Sequence, residues 1–156
     1  MTPHDFLQSL ATRAAAADVF GPLSHSASRL TARAKNCESE AEYRVDMPSS
    51  PTDGRIWVSF LTPDRWLSES IEADLMHTGD SIEELIAEEL IEHDLPAPTA
   101  PITCEHFRSE DRLFTFRSPI PVTTLTEQSL DHALRWLLAY ESCFRNLGDV
   151  QAKPEV

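Results

Sequence analysis

Glycine is scarce in this 156-residue chain, with four residues in all. That leaves little for a phosphate-cradling loop, and no P-loop, GxGxxG or GxSxG occurs. Cysteine is scarcer and odd in number. Cys37, Cys104 and Cys143 lie far apart with no CxxC, which excludes a disulfide framework and a zinc knuckle and predicts reduced thiols. No apolar run approaches the roughly 20 residues of a membrane span. The N-terminal MTPHDF lacks a basic patch followed by an apolar core, so no signal peptide is expected. Basic residues are also few, 13 against 26 acidic, for a net charge of −13. Such a chain is repelled by nucleic-acid phosphates and anionic membrane surfaces, so neither is an expected partner. A cytoplasmic protein without a cofactor is the reading these absences support.

What is present is ordinary for a globular domain: 41% hydrophobic and 25% charged residues. The chain suits a single domain over residues 1–150, with 151–156 as a polar tail. Thr2-Pro3-His4-Asp5 starts a helix that runs to about Asp18, with Phe6, Leu7, Leu10, Ala14 and Ala17 on one face. Residues 19–40 read as an irregular or short-helix linker, because Leu23, Ala27, Leu30 and Ala34 recur at helical spacing. Ala41 to Met47 alternates as a half-buried strand, and Ile56 to Leu61 is apolar on both faces, as in a central strand. Pro63–His77 reads two ways: Thr62-Pro63-Asp64 can start a helix, while Leu67, Ile71, Ala73 and Leu75 alternate with Ser70, Glu72 and Asp74 as in a third strand, the preferred reading because the two preceding strands need a partner.

Ser81 to Glu84 has capping-box spacing and opens a helix with Ile82, Leu85, Ile86 and Leu90 in a stripe, ending near Asp94 before a proline-rich linker. Ile102–Pro121 is the clearest β signal, two strands reversed at Ser109-Glu110-Asp111. The last helix, opened either by a Thr124–Glu127 capping box or by Thr126 as cap with Leu125 stapled to Leu130, carries Leu130, Ala133, Leu137, Tyr140, Phe144 and Leu147 in a 3,4 repeat. The predicted fold is α+β: an antiparallel sheet of three strands plus a hairpin, packed against helices in the order α-βββ-α-ββ-α.

No reaction is announced. Cys104 and His106, two apart on a strand, share a face, and His77, His93 and His132 lie elsewhere; this is too small a set for a metal centre. Cys143 beside Phe144 reads as core, so a non-enzymatic protein is expected. The acids are more informative. Pro63–Asp94 holds eleven of them against one base, Arg65, and Glu84, Glu88 and Glu92 stack at i,i+4 with no lysine between. These three form a candidate partner-binding face, against the plainer reading of a solvated helix. Leu134, Trp136 and Leu138 give the last helix more apolar surface than one sheet face needs, and so a candidate homodimer interface.

Leu113-Phe114-Thr115-Phe116-Arg117-Ser118-Pro119-Ile120-Pro121 resembles the strand that runs into the final helix in the YbjN-like sensory transduction regulators, of type III secretion chaperone-like fold. The resemblance spans roughly residues 41–147 and leaves out the first 40. It implies a small, acidic, non-enzymatic and usually dimeric bacterial protein that binds another protein, chaperone-like or as a regulatory adaptor. It transfers no catalytic residue. An immunity or antitoxin-type inhibitor of a basic protein is the alternative, and a small enzyme with an unrecognised site is the third reading.

Overall fold

The computed structural model describes residues 1–48, 54–95 and 100–151. The expected Pro48–Gly54 loop, the proline linker and the polar tail therefore fall largely outside the described residues. The protein is α+β: α1 (Pro3–Ala17), β1 (Phe20–His25), β2 (Arg29–Ala34), β3 (Glu42–Asp46), β4 (Ile56–Thr62), α2 (Arg65–Thr78), α3 (Ile82–Glu92), β5 (Glu105–Arg108), β6 (Phe114–Ile120) and α4 (Glu127–Arg145). The six strands form one antiparallel sheet in the order β1-β2-β3-β4-β6-β5. Among the described residues no helix is long and apolar enough to cross a membrane.

Two segments depart from the sequence reading. Residues 19–40 form the hairpin of β1 and β2 rather than a linker or short helix. Its turn is tied by the Ser26 N–H to the Arg29 carbonyl at 2.8 Å, and by the Ser26 hydroxyl, which accepts from the Arg29 N–H. Leu30 and Ala32 point inward while Arg29 and Arg33 are exposed, so period two wins. Residues 63–77, predicted as a strand, fold instead as α2. Leu67, Ile71 and Leu75 also stand at i, i+4, i+8, and Asp64 caps the helix by accepting from the Trp66 N–H at 2.9 Å. The observed order is α-ββββ-αα-ββ-α.

The core lies between one sheet face and α1 and α4. Register sets Ala32, Tyr43, Phe60, Phe116 and His106 in a row across five strands. Phe144 of α4 stacks on Phe60 with ring centroids 4.7 Å apart and tilts against Phe116 and Tyr140. The 3,4 repeat of α4 is buried throughout, from Leu130 to Leu147. The opposite sheet face carries Thr31, Arg44, Ser59, Arg117 and Glu105 in one row. There the Arg117 guanidinium lies 4.0 Å from the Trp57 ring centroid and 5.0 Å from that of Phe107, and bonds Glu105 at 2.6 Å. This cation–π layer leaves Ser59, Leu61 and Thr115 buried on the face without helices.

Candidate functional site

Charge is unevenly shared along the fold. Pro63–Asp94, which holds α2 and α3, carries eleven acids and one base for a net −10; the rest has fifteen against twelve, net −3. Ser81 caps α3 by accepting from the Glu84 N–H, and Ile86 and Leu90 turn the helix's apolar side inward. Glu84, Glu88 and Glu92 are all exposed, and successive carboxylates stand about 6 Å apart along the axis. None of the three takes part in an ion pair among the described residues. They form an unneutralised row.

α2 shows what sequence reasoning missed. Its cap, Asp64, is held by the Ser39 hydroxyl at 2.5 Å, and that hydrogen bond lowers the carboxyl below its ordinary pKa. Leu67, Ser68 and Ile71 face inward, so the other side of the helix faces solvent. On that side stand Trp66, 81% exposed, and Met76, 84% exposed, with Glu69 and Ala73 between them. The spacing is 3, 4, 3, and the stripe is about 15 Å long. An amphipathic helix normally places polar side chains there. The helical spacing of these four residues was the available signal, and reading the segment as a strand hid it.

The inner side of α2 meets the edge strand through a polar trio. His106 Nδ1 lies 3.1 Å from Glu72 Oε1, and Nε2 lies 3.4 Å from Ser68 Oγ. The imidazole stacks on Phe116 at 3.8 Å, and burial lowers its pKa while Glu72 opposes the shift. Hydroxyl, imidazole and carboxylate in that order are the parts of an activated serine. The first-turn N–H groups of α2 that could stabilise an oxyanion are already committed, Trp66 to the Asp64 side chain and Ser68 to the Asp64 carbonyl. Ser68 is 3% exposed. The trio pins β5 to α2.

The other sequence candidates separate. Trp136 is 3% exposed in the core of its own chain, which corrects its assignment to an exposed interface: α3 packs on α4 and covers that side. Leu134 and Leu138 are half-buried against the same core. Cys104 approaches the Tyr140 hydroxyl at 3.7 Å while His106 turns to α2, so the two do not converge. Among the described residues no group of three or more His, Cys, Asp or Glu side chains is placed to hold a metal ion. Set beside protein-family models, curated proteins and solved structures, the chain matches none of them.

Proposed function

We propose that this chain is a protein-binding module, chaperone-like or a regulatory adaptor, that docks a basic partner on the outer face of α2. The observation that carries the reading is the pair Trp66 and Met76, exposed on one side of a helix in the most acidic part of the chain. Tryptophan anchors are enriched where binding energy concentrates, and methionine adapts to irregular partner surfaces. Glu69, within the stripe, and the α3 row of Glu84, Glu88 and Glu92 belong to the same acidic segment and supply its negative charge. The apolar pair supplies contact energy; the carboxylates steer and select for positive charge.

The test uses a short amphipathic helical peptide of Lys and Leu, with a scrambled peptide of the same composition as control. Binding is followed by tryptophan fluorescence and calorimetry. Trp66→Ala and Met76→Ala are each expected to weaken the helical peptide by about 1–2 kcal/mol, roughly 5- to 30-fold, with the helical content unchanged. Unchanged affinity in both variants would remove the α2 face as the docking site.

A further inference from the structure

Two histidines meet at the β1 edge of the sheet, opposite the β5 edge that α2 pins. His4 stands in the first turn of α1, and His25 closes β1. Register sets His25 opposite the buried Leu30, so it stands on the sheet face that α1 covers. His4 precedes Leu7 by three residues and flanks the start of the buried stripe of α1. The two rings lie 5.6 Å apart between centroids and are tilted by 51°.

Both residues are exposed, and among the described residues neither ring takes part in a hydrogen bond or an ion pair. A neutral imidazole in that state keeps one nitrogen lone pair free. Two imidazoles that share an ion at about 2.0–2.1 Å hold their centroids roughly 5–6 Å apart. The observed separation lies in that range, so rotation of two exposed side chains suffices to aim both nitrogens at one ion. Two ligands do not make a structural metal site, which takes four. They make an exchangeable one, with water in the remaining positions. Imidazole selects zinc and copper, whereas magnesium and calcium take oxygen ligands, which separates this pair from the carboxylates of α2 and α3. The positive start of α1 disfavours a cation; Asp5 in the same turn and the net charge of −13 act the other way.

We propose that His4 and His25 form a surface site for one exchangeable divalent transition-metal ion of the zinc and copper class. The site shares no residue with the α2 docking face and stands or falls without it. Each ring alone is a weak ligand. The pair is a chelate because α1 and β1 present both rings at once, so removing either leaves a single-point contact.

The experiment is calorimetric titration of the whole chain with zinc chloride at pH 7.5, in excess magnesium to compete for the carboxylates. The expected result is one zinc per chain, with copper(II) bound more tightly in the same ratio. His4→Gln and His25→Gln should each weaken zinc roughly tenfold or more, and the double variant no further than either alone. His77→Gln, which removes an exposed imidazole at the end of α2, should change nothing. Protons compete for the same nitrogens, so zinc affinity should fall from pH 7.5 to pH 5. Circular dichroism checks that the variants, all at exposed positions, are folded. Absence of saturable zinc binding, zinc affinity that survives both single substitutions, or an equal loss in His77→Gln would each overturn the proposal.

Discussion

Glu141 looks in the sequence like an exposed i,i+4 partner of Arg145, worth a few tenths of a kcal/mol. The pairing exists, with Arg145 Nε 3.1 Å from Glu141 Oε2, but Glu141 is 4% exposed and the angle makes no hydrogen bond to that nitrogen. Burial pushes the carboxyl from 4.5 up to about 7; Arg145 opposes the shift and Glu89 adds to it. The native state therefore holds a proton that the unfolded chain has lost between pH 4.5 and 7. Stability from this group falls as pH rises through that window. Glu141→Gln should be more stable than the wild type at pH 8, and the gap should shrink by about 2 kcal/mol at pH 5. Urea melts of both proteins at the two pH values check it; an equal gap would mean the carboxyl titrates normally. Nothing in the local sequence separates Glu141 from Asp131, which is half-exposed in a matching i,i+4 pair with Arg135. Which side of α4 is covered depends on where α3 packs.

Two glycines make a paired test at the same scale. Gly148 has φ +51° and a Cβ there would meet Ser70 Oγ at 2.5 Å and the Ile71 nitrogen at 2.8 Å. Gly79, at φ +76°, closes α2 in open space. Gly79→Ala should cost about 1 kcal/mol from backbone strain alone, and Gly148→Ala about 2–4 kcal/mol because backbone must also move. Equal costs by thermal melt would contradict the close packing of α2 against the end of α4.

At the scale of elements, the long periodic pieces were legible and the short two-sided ones were not. The 3,4 repeat of α4, the capped start of α3 and the hairpin of β5 and β6 stand where pattern and caps place them. In α2, Leu67, Ile71 and Leu75 satisfy both periods, so periodicity alone does not decide; the Asp64 cap and the burial of Ser68 show that the helix won. In β1 and β2 the inward positions include small alanines with helical propensity, and the decisive contacts are to β3 and α1, distant in sequence. The polar trio depends on α2 being a helix, which puts Ser68 and Glu72 one turn apart against His106. His106→Phe keeps the stack on Phe116 and loses the two polar contacts; His106→Ala loses both. The first should cost about 1 kcal/mol and the second about 2–3 kcal/mol, with faster amide exchange along β5. Identical stability of the two variants would show that stacking contributes nothing to holding the edge strand.

Over the whole molecule, charge and shape are divided. The core and the sheet are close to neutral, while α2 and α3 hold a net −10 around an exposed tryptophan and methionine. The sequence already showed the concentration of acids. It could not show the apolar stripe among them, since that needs the helical phase of α2. The docking account assigns contact to Trp66 and Met76 and attraction to the carboxylates. Exposed charges act over roughly 8–10 Å at physiological salt, so their effect appears in the rate of encounter.

The most direct measurement is the association rate of the helical Lys/Leu peptide with the wild type and with the Glu84→Gln, Glu88→Gln, Glu92→Gln triple variant, from low to high salt. The account predicts that the wild-type rate falls as salt rises. The triple variant should associate more slowly than the wild type at low salt and depend less steeply on salt, while its α3 helix gains slight stability from the loss of like-charge neighbours. Equal association rates at low salt would contradict it and leave α3 as a solvated acidic helix.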